Sequence, residues 1–144
     1  MLKRLSIVGY VGMVGGLLGM LIMRSLFSPS PLVIALQVAA LLLVVWARVT
    51  FGRRSFHVVA NPTEGGLVTD GPYRYIRHPI YAAICLLTWA GAAVHWSWGS
   101  GLVGGVVLAS AMIRIICEER LVTARYPEYA QYRTTTWRMI PYVY

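Results

Sequence analysis

The stretch LVGGVVLASAMIRIIC, residues 102–117, decides the fold. As a helix rising 1.5 Å per residue it reaches about 24 Å. It is apolar all round, whereas a helix of a soluble bundle would show a polar face at a 3.6-residue period. Its only charge is Arg114, one turn from an end that runs on into Glu118, Glu119 and Arg120. Three further runs, residues 5–23, 31–47 and 79–96, have the same character. At about 24 to 28 Å each, they come close to the roughly 30 Å of a bilayer's hydrocarbon core. A hydrophobic share of 58% and a mean hydropathy of +0.63 place the chain with membrane proteins. The expected fold is all-α and integral to the membrane, with about four transmembrane helices in two hairpins. One domain is expected over residues 1–144.

Lys3 and Arg4 precede the first run in the manner of a secretory signal. The run is long for one, no small-residue cleavage site follows and Arg24 closes it, so a retained span is expected. The net charge of +8 could suggest nucleic acid, but the cations are not gathered in one soluble stripe. Lys3 and Arg4 lie before the first run. Arg48, Arg53, Arg54, Arg74 and Arg77 lie between the second and third, and Arg120, Arg125, Arg133 and Arg138 follow the fourth. The opposite loops hold only Arg24. By the positive-inside rule both termini and the polar segments 48–78 and 118–144 are cytosolic. The expected partners are the membrane and a lipophilic small molecule or lipid, not nucleic acid. Cys85 and Cys117 fall in different runs without CxxC spacing and read as packing residues.

The first two runs are joined by Ser28-Pro29-Ser30-Pro31, a helix breaker, and the last two by residues 95–101, where Trp96 and Trp98 suit an interface. His95 reads as an interfacial polar residue. Gly12, Gly15, Gly16 and Gly19 form a stripe that lets helix backbones approach. Residues 48–78 are too polar to span and too long for a plain connector, which suggests function, and a lid role for residues 48–64 is an expectation from length alone. Residues 118–126 can prolong the fourth run as a helix, with Pro127 breaking or restarting it. Tyr126, Tyr129 and Tyr132 then share one face, as in an amphipathic helix at the headgroups.

All five acidic residues, Glu64, Asp70, Glu118, Glu119 and Glu128, belong to the polar segments or the adjoining helix end. A cation exporter would be expected to keep a carboxylate inside a span, and none of the four runs has one. A transporter would also need a polar path, for which Gln37, Thr88 and Ser110 are few. Arg114 could snorkel to the surface. It also stands four residues from Glu118, on the same helical face, where a cation beside a carboxylate could hold an acidic group. The densest polar constellation is GPYRYIRHPIY, residues 71–81, at the entry to the third run. On composition it could equally be a headgroup anchor, because arginine and tyrosine both favour interfaces.

GPYRYIRHPIY, followed some forty residues later by EERL and then by EYAQY and RMIP, resembles the signature of the isoprenylcysteine carboxyl methyltransferase and phospholipid methyltransferase superfamily. The resemblance covers roughly residues 56–141. It implies an integral membrane methyltransferase with S-adenosyl-L-methionine as cofactor, in a pocket formed by the cytosolic loop and the C-terminal helical segment. Carried over by motif, the backbone of Gly65, Gly66, Leu67 and Val68 borders the cofactor. Tyr73, His78, Pro79, Ile80 and Tyr81 line it, and Glu118 receives its ammonium. Arg114 aligns with a family arginine associated with substrate and catalysis. Ala83 stands where many relatives have glycine, Ala60 where a polar contact can occur, and Thr136-Trp137 replaces a common Val-Pro.

The chemistry of the cofactor agrees with that set. It carries a sulfonium, an ammonium, a carboxylate and an adenine, and so needs a carboxylate, a cation or donor such as Arg77 or His78, and aromatic surface. Arg114 could hold an acidic acceptor ionised, whereas an amine or phenol would need a base, for which Glu119 is a candidate. The catalytic candidates are thus Arg114, Arg77 and Glu119. The acceptor stays open among a carboxylate on a lipidated thiol, a phospholipid amine and another small lipophile. The competing class is a non-enzymatic transporter or partner-binding subunit. No metal is expected, and a soluble Rossmann methyltransferase is excluded because the polar segments are too short for its sheet.

Overall fold

The computed structural model describes residues 1–52 and 66–143. Their regular structure is helical: α1 is Leu2–Ile22, α2 Pro31–Phe51, α3 Pro79–Val94, α4 Trp98–Arg125 and α5 Tyr129–Thr135, with a 3-10 turn at Gly71–Arg74. Three of these, α1, α2 and α4, are long and apolar enough to cross a membrane. The third expected span is a shorter apolar helix, α3, of 16 residues. Gly65 and most of the expected lid, residues 53–64, lie outside the described residues.

Local signals account for the helix ends. Pro31 and Pro79 open α2 and α3 at a position where a missing N–H costs nothing. Ser97 caps α4 by accepting from Ser100 N at 3.0 Å, while Ser97 N donates to Ser100 Oγ at 2.9 Å. α4 runs for 28 residues, about 42 Å, roughly 12 Å more than a hydrocarbon core. Its charged last two turns, residues 118–125, therefore stand outside the membrane-spanning part. The helix stops where Tyr126 is driven extended ahead of Pro127, and the chain restarts as α5.

The chain runs as two consecutive hairpins, but only the second packs as a pair. α1 lies along α4, α2 along α3, and α3 against α4. The α1–α4 seam explains most of the glycine stripe. A methyl on Gly12 or Gly16 would collide with Ser110 or Val107 of α4, and Gly19 makes ordinary contact with Val103 at 3.6 Å. Gly15 faces open space, and Gly9, one turn earlier, is pressed against Arg114 and Ser110. Val8, Val11 and Leu18 of α1 and Leu42 and Val45 of α2 are exposed, which suits helices surrounded by acyl chains. Cys85 and Cys117 are buried and free.

The end of the molecule opposite the two polar segments, where Arg24 lies, is closed by backbone contacts. Gln37 Nε2 donates to the Leu26 carbonyl at 2.5 Å, His95 Nε2 lies 2.9 Å from the Phe27 carbonyl oxygen, and a methyl on Gly91 would strike the loop at Ser25 and Leu26. Trp96 and Trp98 are exposed beside this loop. At the other end the 3-10 turn rests on the last turns of α2. Gly71, at φ 56°, sits against Thr50 and Trp46, and the Tyr73 ring lies 5.3 Å from that of Phe51.

Candidate active site

The two polar segments meet through the backbone just before α3. Ile76 and Trp137 form a parallel bridge. Trp137 N donates to the Tyr75 carbonyl at 3.0 Å, Arg77 N to the Trp137 carbonyl at 2.7 Å and His78 N to the Arg138 carbonyl at 2.9 Å. α5 reinforces the junction. Its Tyr129 is buried, and Tyr132 donates its hydroxyl to the Tyr73 carbonyl at 2.5 Å. Burial pushes the Tyr132 phenol up to about 12 against the opposing charge of Arg77, so it remains a neutral donor. Tyr132 is thus turned onto the 71–78 segment, but Tyr126, extended ahead of Pro127, is not part of the helix that carries Tyr129 and Tyr132, so the expected face of three tyrosines does not form.

Glu119 is the ionic knot of this junction. Its Oε1 accepts from Arg77 Nε at 3.0 Å and stands 3.4 Å from His78 Nε2, while Oε2 accepts from Arg138 Nε at 3.2 Å. Arg77 also donates through Nη1 to the Arg133 carbonyl at 3.2 Å and to the Thr136 carbonyl. Burial alone would raise the Glu119 carboxyl, but His78 and then Arg77 outweigh it and bring it down to about 2. A carboxylate stabilised so strongly as an anion is a poor proton acceptor.

Glu118, one residue earlier, is arranged differently. Its Oε1 accepts from Arg114 Nη2 at 2.9 Å and from the Tyr81 hydroxyl, and Arg114 Nε donates to that same hydroxyl at 2.8 Å. Its Oε2 lies 3.8 Å from His78 Nδ1, too far for a hydrogen bond. The Glu118 side chain is 25% exposed against 6% for Glu119. Glu118 is therefore held by one edge, and Glu119 is enclosed.

Aromatic surface surrounds this carboxylate. The His78 and Tyr81 rings stack at 5.8 Å, with 25° between planes. The Tyr73 hydroxyl is pushed upward by burial, then by Tyr132 and by the Glu118 charge, which marks it as a neighbour of Glu118. Pro79 and Ile80 form the first turn of α3 beside them. Gly66, at φ 88°, and Leu67 and Val68 approach the 3-10 turn in non-helical backbone. An open groove of about 560 Å³ borders Arg77, Arg133, Thr136 and Arg138, but neither Glu118 nor Arg114 lines it.

A family model described as phospholipid methyltransferase matches residues 31–129, more than two thirds of the chain. The chain belongs to the phospholipid methyltransferase family. Membership implies methyltransferase activity, and the apolar helices make this a membrane protein. No curated protein and no solved structure matches it. The family match begins at α2 and reaches Tyr129, so α1 and the bridge-forming residues 136–138 fall outside it.

Of the residues singled out from the sequence, the structure brings Arg77, His78, Tyr81, Arg114, Glu118 and Glu119 into one connected network. Tyr73, Pro79 and Ile80 flank it, and Gly65 lies outside the described residues. Sequence reading missed Ser6 and Tyr10 of α1, both of which meet Arg114. Their signal was the face shared by Ser6, Gly9, Tyr10 and Met13. It also missed the part of Arg138, which was noted only among the cations and within a motif.

Proposed function

We propose that this chain is an S-adenosylmethionine-dependent methyltransferase acting on a lipophilic acceptor that arrives from the bilayer, with its polar site on the cytosolic face. The observation that carries this reading is the two-sided setting of Glu118. One oxygen is fixed by Arg114 and Tyr81, and the side chain is left partly open toward His78.

The residues suit the cofactor. The accessible edge of Glu118 would take the ammonium. The rings of Tyr73, His78 and Tyr81 offer surface for the adenine and the sulfonium. The backbone of Gly66, Leu67 and Val68 offers polar groups, and Pro79 and Ile80 an apolar wall. S-adenosylmethionine supplies a methyl group on a sulfonium sulfur, which becomes a neutral thioether on transfer. The protein's contribution is then chiefly orientation and exclusion of water.

Arg114, bonded to the other oxygen of Glu118 from within the span, would hold an anionic acceptor ionised. Arg77 and Glu119, treated as catalytic candidates from the sequence, are better suited to joining the two polar segments, because their charged groups are spent on one another and on Arg138 and His78. The family's description points to a lipid headgroup as the acceptor class. A transport path gains no support from the spans, where Gln37 and Thr88 donate to backbone carbonyls.

The test is incubation of purified protein in nanodiscs with methyl-labelled S-adenosylmethionine and a lipid extract of the host membrane, followed by fractionation of the label. Transfer to a lipid fraction is expected. Glu118→Gln should weaken cofactor binding by about tenfold or more, the scale of one charge-assisted hydrogen bond. Arg114→Lys should keep the cofactor and lose transfer. Absence of both binding and transfer in the parent would sink the reading.

A further inference from the structure

Beyond α5 the chain turns back toward the spans. Trp137 is bridged to Ile76, and the Arg138 carbonyl accepts from His78 N at 2.9 Å, so both stand level with the entry to α3. With 16 residues and a length of about 24 Å, α3 is shorter than the roughly 30 Å hydrocarbon core, which puts that entry at the acyl boundary. Met139 reaches deeper. It is 6% exposed and packs in one cluster with Met13, Cys85, Ala111 and Ile115 of the spans. The residues after it stay outside. Val143 N closes a turn on the Ile140 carbonyl at 3.2 Å, Ile140, Tyr142 and Val143 are all exposed, and the Tyr142 ring lies 5.7 Å from that of Trp137. Aliphatic and aromatic side chains gathered at this level fit the boundary between headgroups and acyl chains.

The open groove of about 560 Å³ runs beside them and has a mixed lining. Trp137 and Val143 give it apolar surface, while Arg133, Thr134 and Thr135, all exposed, give it a cation and hydroxyls. Among the described residues no carboxylate lines it. We propose that this groove binds the phosphate of an anionic phospholipid from the leaflet next to the polar site, with Arg133 as its cation and Trp137 and Val143 against the glycerol and the first acyl carbons. A guanidinium with hydroxyls beside it is matched to phosphate oxygens. A free phosphate ion would use the same groups, but it would have no use for the apolar lining or for the exposed turn at residues 140–143. This lipid is a ligand apart from any methyl acceptor, because neither Arg114 nor Glu118 lines the groove. It would hold the C-terminal segment against the membrane, and with it the strand bridged to Ile76.

The experiment places the full chain in phosphatidylcholine nanodiscs that contain a rising fraction of lipid with brominated acyl chains, either phosphatidylglycerol or phosphatidylcholine. Subtracting the emission of Trp137→Phe isolates the quenching of Trp137. Half-quenching is expected at a mole fraction of brominated phosphatidylglycerol about fivefold lower than of brominated phosphatidylcholine, the scale of one basic residue held at an anionic lipid surface. Arg133→Gln should abolish that preference and leave Trp137 quenched equally by both lipids. Arg125→Gln, at an exposed arginine that does not line the groove, should keep it. Trp137 unquenched by either lipid overturns the proposal, because the segment then stands clear of the membrane. Equal quenching in the parent overturns it too, as does an equal loss of preference in both arginine variants, which would reflect net charge and no built site. Relief of the quenching by millimolar inorganic phosphate at constant ionic strength would assign the groove to a free ion and overturn the lipid as its ligand.

Discussion

Glu118 and Glu119 are neighbours on α4 and point about 100° apart around it, so one pair of identical side chains meets two different environments. The enclosed member is the one whose loss the fold should feel. Glu119→Gln leaves Arg77 and Arg138 without their shared anion and should cost about 3–5 kcal/mol, read as a fall in the thermal midpoint in detergent. Its carboxyl is lower in the folded state than its ordinary value of 4.5. The stabilisation is therefore complete above about pH 4.5 and is lost as pH falls toward 2, and it amounts to on the order of 3 kcal/mol. Melting the parent and Glu119→Gln between pH 7 and pH 2.5 checks this, because the gap between them should narrow only below about pH 4.5. A gap constant down to pH 2.5 would contradict the pairing. Sequence reading assigned Glu118 to the cofactor's ammonium and Glu119 as a candidate base, but could not divide them into an open and an enclosed carboxylate. That division depends on Arg138, nineteen positions away, folding back onto one of them.

Between elements, the close contact is the glycine seam of α1 against α4. An added methyl at Gly16 would meet Val107, whereas one at Gly15 meets nothing within 4 Å. Gly16→Ala should destabilise by about 1–3 kcal/mol through overpacking. Gly15→Ala should be neutral or stabilise by up to about 1 kcal/mol by reducing the freedom of the unfolded chain. Thermal unfolding of the two variants in one detergent separates them, and equal shifts would mean that the seam is misplaced. Composition made the stripe visible, but with glycines at positions 9, 12, 15, 16 and 19 it did not show which of them face a partner. The partner is also the last of the long helices rather than the next one along. Sequence adjacency suggests hairpin packing, and the α1–α4 pairing overrides it because small residues there allow closer approach.

For the molecule as a whole, helices and polar segments were legible from hydropathy and charge, since a run of apolar residues has few other uses at this length. What could not be read was the junction of Ile76 with Trp137, a bridge between stretches that carry no pairing pattern of their own. The orientation can be tested with single cysteines in sealed vesicles of known sidedness. Glu128→Cys and Trp98→Cys, placed in a chain whose own cysteines are buried, should react with an impermeant thiol reagent from opposite sides, with Glu128→Cys labelled from the cytosol. Labelling of both from one side would mean that α4 does not cross.

The bridge to Trp137 also sets an order of assembly. Ribosomes deliver the chain from its amino end, so α1 to α4 enter the lipid while residues 133–138 are still unmade or inside the exit tunnel. During that interval Arg77 and Glu119 lack Arg138 and the Thr136 carbonyl, and the entry to α3 has no partner strand. A nascent protein already seated in the membrane is thus an unfinished one. Its polar face closes only by a long-range contact made after insertion, so membrane integration and acquisition of the folded site are separate events in the life of the chain.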